Sequence, residues 1–168
     1  MLKTNGYAVK SAESKFEPFE FERRTLGAKD VLIEIMFCGV CHSDIHQAHN
    51  DWRNSIYPMV PGHEIVGRIK QTGAEATKFK TGDYAGVGCF VDSCRACENC
   101  RQGVEQFCQV HCALETQEML DYCAENNIVS DIEMIPIQKI EEAYERTIKS
   151  DVRYRFVIDM QSLSAAEK

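Results

Sequence analysis

From Asp30 to Cys38 apolar and polar positions alternate, with Val31, Ile33, Ile35 and Phe37 on one side and Glu34 on the other. A period of two in β-branched and aromatic residues predicts a strand with one buried face. Ile65 to Gln71 and Asp83 to Val91 carry similar short patterns, bounded by glycines at 62, 73, 82 and 86. Short strands between glycine turns, with no helical period among them, predict a small β-barrel or sandwich up to about residue 92. The polar stretch Ser43 to Asn50 predicts one or two helical turns.

The texture changes after Cys108. Glu115 to Asn126 is helix-like, and so is Gln138 to Lys149, where Ile140, Ala143, Tyr144, Thr147 and Ile148 recur at spacings of three and four. Val152 to Met160 is rich in Val, Tyr, Phe and Ile, which predicts a strand. The small, polar tail from Ser162 to Lys168 is expected to fray. The fold class read from this order is mainly β with α, ending in a helix-helix-strand segment.

The chain has 168 residues, 44% of them hydrophobic and 27% charged, a globular composition with room for one domain, 1–168. Nineteen basic against twenty-six acidic residues give a net charge of −7, with no basic run to follow a phosphate backbone, so nucleic acid is not an expected partner. No apolar stretch approaches the length of a membrane span, and no secretory signal opens the chain. A cytoplasmic setting follows. There, nine cysteines argue for metal ligands rather than disulfides.

Cys94, Cys97, Cys100 and Cys108 form a CxxCxxC with a fourth cysteine shortly after. Thiolates at this spacing can close a tetrahedron around zinc and leave no open position, the property of a scaffold metal. Four thiolates also suit iron, although nothing else in the sequence suggests electron transfer. The loop's negative charge would be offset by backbone N–H groups and by Arg95 and Arg101.

A second group comprises Cys41, His42, Ser43, Asp44 and His46, followed by His63 and Glu64. Cysteine, imidazole and carboxylate ligate zinc, and three protein ligands keep a fourth position for water or substrate. Asp44 could take the other N–H of His63, Ser43 could accept an alcohol proton and His46 could pass it to solvent. Taken singly, a buried Cys or His is more often simply packed or hydrogen-bonded.

The stretches GlyValCysHisSerAsp at 39–44, TyrProMetValProGlyHisGlu at 57–64, GlyAspTyrAlaGlyValGly at 82–88 and the four-cysteine loop resemble zinc-dependent medium-chain alcohol dehydrogenases. The likeness is to their cinnamyl-alcohol-dehydrogenase-like branch of broad-specificity aldehyde reductases. It covers residues 1–108 and resumes over 115–163. It implies a GroES-like β-barrel with a zinc lobe at 92–108, alcohol or aldehyde as small-molecule partner, and NADP as cofactor. By the same likeness, Cys41, His63 and Glu64 are catalytic zinc residues, Ser43 is the relay hydroxyl, His42 and Arg155 touch the cofactor's pyrophosphate, and Gln47, Trp52 and Cys89 line the alcohol pocket. For Trp52 and Cys89 plain core packing is an equal alternative.

The chain departs from this family at a junction over 109–114. The Rossmann nucleotide-binding domain is missing and so are the late barrel strands, so an incomplete, truncated barrel is expected. A single βαβ unit needs some thirty residues and a dinucleotide fold needs several, which no segment supplies; nor is there a GxGxxG between strand and helix. The family's third cysteine ligand is absent, leaving Cys112 or, more weakly, His111 to replace it. Three functions remain open: an oxidoreductase still active in this form, a zinc-binding catalytic domain without turnover, and a homo-oligomer that covers bared apolar surface. The second is preferred.

Overall fold

The computed structural model describes residues 1–88, 93–108, 125, 127 and 129–167. The expected helix over 115–126 lies almost wholly outside the described residues, as do Cys89, His111, Cys112 and the junction 109–114. The chain divides into two compact units, one formed by Met1–Gly86 with Ile132–Lys168 and the other by Val87–Asp131.

In the first unit, β1 (Leu2–Ala8) and β2 (Glu17–Arg23) form an antiparallel two-stranded sheet. Five further strands follow: β3 (Val31–Gly39), β4 (Glu64–Thr72), β5 (Tyr84–Val87), β6 (Glu133–Pro136) and β7 (Phe156–Asp159). They make one sheet in the order β5-β4-β3-β7-β6. β3 runs antiparallel to both β4 and β7, and β6 runs parallel to β7. Between them lies helix α3 (Ile140–Ile148), preceded by a 3₁₀ turn at Ile137–Lys139. Residues 133–159 are therefore a single βαβ crossover, one unit where a dinucleotide fold needs several. The turn after β6 reads Ile137-Gln138-Lys139 and lacks the glycines of a dinucleotide-binding turn.

The strands expected at 30–38 and 65–71 form with shifted ends, while the alternation in β3 does not persist. Register shifts at Leu32/Ile33 and Ile35/Phe37 swap the faces, so Ile35 is exposed and Cys38 is buried. Gly67 stands opposite this irregular stretch, and a Cβ there would meet the Glu34 carbonyl oxygen at 2.3 Å. Only glycine lets the strands approach so closely.

The hairpin β1–β2 is not among the predicted elements, and neither is β6. The final strand is shorter than expected, because the backbone turns at Tyr154 with φ 66° before Phe156 enters the sheet. The tail is also more ordered than expected. Met160–Glu167 forms a 3₁₀ helix, Leu163 packs on the core, and the Ile137 N–H donates to Ser162 Oγ at 2.9 Å.

The core joins Tyr7, Val9, Cys38, Val40 and Ile45 to Ile137, Ile140, Ala143, Tyr144, Phe156 and Ile158. Tyr144 meets Phe16 edge-to-face, with ring centroids 5.2 Å apart. The buried stripe of α3 is the one its spacing predicts, except that Ile148 at its end is exposed.

Candidate metal and alcohol site

Immediately after β3 the chain turns at Cys41 into α1 (His42–Ala48), a short helix whose first turn is closed by its own side chain. Asp44 Oδ2 accepts the N–H of Cys41 at 3.0 Å, an arrangement that satisfies an otherwise unpaired donor at the helix start. The other oxygen of Asp44 turns toward the segment leading into β4. Oδ1 accepts the N–H of Gly62 at 3.0 Å and lies 2.9 Å from His63 Nδ1. Gly62 adopts φ +117°, and a Cβ there would sit 3.0 Å from Cys38 Sγ, which explains glycine at this bend. One buried carboxylate thus ties Cys41 and His63 together.

Because Asp44 can only accept, Nδ1 of His63 carries the proton and Nε2 presents its lone pair to the cluster. Ser43 Oγ stands 3.3 Å from that Nε2 and 3.2 Å from Cys41 Sγ. The donor atoms of Cys41, His63 and Glu64 all lie within 4.8 Å of one another. Sulfur, imidazole nitrogen and carboxylate oxygen at such separations fit a zinc ion. Glu64 also pairs with Arg155, and this bond, with the carboxylate's charge, holds the guanidinium pKa above its ordinary value.

Farther along α1, His46 Nδ1 bonds Asp51 Oδ2 at 2.8 Å. Its ring centroid lies 6.3 Å from that of His42 and 5.6 Å from that of Trp52. Trp52 is 53% exposed, which rules out the core-packing alternative for it. Gln47 Nε2 donates to Asn54 Oδ1 and Ser55 Oγ, both at 3.1 Å. Tyr57, whose role the sequence did not suggest, donates its hydroxyl to the Ala48 carbonyl at 2.8 Å and fixes the far end of α1. No local motif announces such a contact. Cys38 is buried just behind the cluster; burial pushes its thiol up to about 11, and the Asp44 charge adds to this.

The second unit contains α2 (Glu98–Arg101) and a 3₁₀ turn at Glu105–Phe107. Around them the sulfurs of Cys94, Cys97, Cys100 and Cys108 lie within 4.8 Å of one another. Cys100 Sγ is 3.8 Å from Cys94 Sγ and 3.4 Å from Cys97 Sγ. A tetrahedron of sulfurs around zinc needs separations of about 3.8 Å, given bonds of roughly 2.3 Å. The four sulfurs fit. The N–H of Cys94 donates to Cys108 Sγ at 3.4 Å, and that of Cys97 to Cys94 Sγ at 3.3 Å, so backbone dipoles offset part of a thiolate cluster's charge. With protons in place of a metal, burial and the neighbouring Cys97 and Cys108 push the Cys100 thiol up to about 12.

Residues 27–137 match the family described as Alcohol dehydrogenase GroES-like domain. Among curated proteins, a probable mannitol dehydrogenase 3 from Stylosanthes humilis is 44% identical over 119 residues, covering 71% of this chain and 33% of that protein. Cinnamyl alcohol dehydrogenase 8 from Arabidopsis thaliana is 52% identical over 103 residues, or 61% of this chain and 29% of its own length. The chain therefore spans about a third of the curated relatives it matches. Among solved structures, CAD from Helicobacter pylori complexed with NADP(H) superposes with a TM-score of 0.86 at 21% identity, covering 95% of this chain and 99% of that chain. At that identity the likeness establishes the fold alone.

Proposed function

Because the chain belongs to the alcohol dehydrogenase GroES-like domain family, we propose that it forms the zinc- and alcohol-binding part of a cytoplasmic, NADP-dependent alcohol dehydrogenase of the cinnamyl-alcohol-dehydrogenase-like branch. The observation that supports this reading best is the convergence of Cys41, His63 and Glu64, with Asp44 on the far nitrogen of the imidazole. Zinc held there supplies a Lewis acid that favours ionisation of an alcohol hydroxyl. Asp44 keeps the proton of His63 on Nδ1 and the ring turned toward the cluster. Ser43, within reach of Sγ and Nε2, would take the alcohol proton as it releases its own to water, and His46, three residues along α1 and bonded to surface Asp51, would accept that proton from water and return it to solvent. Gln47 and Trp52 border the alcohol. The four-cysteine loop holds a second zinc with a scaffold role.

Hydride transfer needs a nicotinamide held about 3–3.5 Å from the reacting carbon. The one βαβ crossover among the described residues lacks a phosphate-binding glycine turn, and Arg155 already engages Glu64. The expected behaviour of these 168 residues alone is thus zinc loading and alcohol binding without turnover. The test mixes purified chain with zinc, NADPH and an aromatic aldehyde, following metal content and nicotinamide absorbance together. Roughly two zinc ions per chain, falling to one in Cys41→Ser, with steady absorbance, is the expected result. Turnover that Cys41→Ser abolishes would mean the chain is active unaided. A parent chain that loads one zinc would overturn the catalytic-site reading.

A further inference from the structure

The first unit contains a groove of about 790 Å³ whose lining differs from strand to strand. β2 contributes Phe19, Phe21 and Arg23, alternate residues that belong to one face of the strand. From β1 every residue from Leu2 to Tyr7 lines the groove, and from the start of β3 so do Val31, Leu32 and Ile33. Consecutive residues on one wall mean that the groove meets the backbone edge of the strand, because side chains of a single face come only at every second position. Sheet pairing agrees with this. Among the described residues β3 pairs with β7 only at Phe37–Gly39, which leaves Val31–Met36 without a neighbour on the side away from β4. β1 pairs with β2 on one side, and just beyond its end Val9 bridges to Met59. The groove is therefore a slot between two strand edges, floored by Phe19, Phe21, Ile65, Ile137 and Ile158.

We propose that this slot binds an extended polypeptide strand supplied by a partner protein, apolar at alternate positions and acidic at the end that lies by Arg23. A strand answers both features of the slot. Its backbone pairs with the N–H and C=O groups along Val31–Met36, and its apolar face covers the aromatic and aliphatic floor. An acyl chain would cover the floor and leave the edges unpaired. Charge sets the polarity of the acidic end. Beside Arg23, Arg24 pairs with Asp30, both lining the slot, while Arg23 is exposed and makes no ion pair among the described residues. This inference stands independently of the metal reading, since none of the proposed zinc ligands lines the slot.

The test uses the full chain and a labelled ten-residue peptide of alternating valine and threonine ending in two glutamates. Amide exchange is read along the chain, and binding is read by fluorescence anisotropy. The expected result is saturable binding with slowed exchange at Val31–Met36. Arg23→Glu, an exposed change that spares the core, weakens this peptide about tenfold and favours a version ending in two lysines. Ile33→Glu, with its fold checked by circular dichroism, abolishes binding by charging the wall. Four outcomes would overturn the proposal: no saturable binding, equal binding of a peptide with proline at alternate positions, binding indifferent to Arg23→Glu, or protection that rises with chain concentration without peptide, which would make a second copy the occupant.

Discussion

In the segment 94–108 four sulfurs come within 4.8 Å of one another through the local path of the chain, whereas Cys41, His63 and Glu64 reach the same separation through the fold. The first cluster is written in a CxxCxxC spacing and bounded by α2 and a 3₁₀ turn. The second needs the end of β3, the start of α1 and the head of β4 to meet, with Asp44 bonding across the gap. The bonds described within the spacing-built cluster are local ones, such as those from the Cys94 N–H to Cys108 Sγ and from the Cys97 N–H to Cys94 Sγ, and a metal on the four sulfurs would add to them. The fold-built cluster is held by hydrogen bonds that exist before any ion arrives.

The largest effect should come from breaking the spacing-built cluster. Cys97→Ser is expected to lose one zinc per chain and the exchange protection of amides 93–108, since structural zinc supplies about 10–16 kcal/mol of apparent binding energy in small zinc domains. Amides in the sheet β5-β4-β3-β7-β6 should keep their protection. If they lose it to the same degree, the two clusters are not independent and the contrast fails.

Asp44→Ala tests the other side of the comparison. It strips the acceptor from the Cys41 N–H, the Gly62 N–H and His63 Nδ1 at a buried position, an expected loss of about 3 kcal/mol measured by urea unfolding without metal. Zinc at the Cys41–His63 site should weaken by about tenfold or more. Asp44→Asn should fall between the two, because its amide oxygen still accepts while its NH₂ meets donors. Unchanged metal-free stability in Asp44→Ala would show that the cluster is not held in advance.

The same contrast explains what the sequence made legible. The four-cysteine loop could be read by counting, and β3, β4 and α3 by period. The pairing of Asp44 with His63 was readable only as chemistry, as the nearest carboxylate to an imidazole. The partnership of Arg155 with Glu64 joins residues far apart in the chain, so no local pattern carries it. β1 escaped because Lys3, Asn5 and Gly6 are poor strand formers, and Pro18 weakens the Phe19/Phe21 alternation of β2. The faces of β3 changed where its bulges move the register, a cross-strand event invisible in a single strand's period.

The smallest effect concerns acid, and it separates the units by mechanism. At the head of β3, Asp30 accepts from the Arg24 guanidinium and from the Gly27 N–H at 2.8 Å, and these bonds hold its carboxyl down at about 2. A carboxylate whose pKa is depressed in the folded state contributes stability above its ordinary value near about 4 and loses it as pH falls toward the folded value. Glu133 is lowered in the same direction, by the Arg153 N–H and then by Arg146. Measured with chelator present, the urea midpoint of the first unit should therefore decline between about pH 4 and pH 2. Asp30→Asn should flatten part of that decline while leaving the midpoint near neutrality slightly lower. In the second unit acid acts differently, because protons compete directly with metal for the sulfurs and zinc should leave at a higher pH than this window. Zinc retained by the loop below about pH 4, where the Asp30 contribution is already fading, would contradict that assignment of mechanisms.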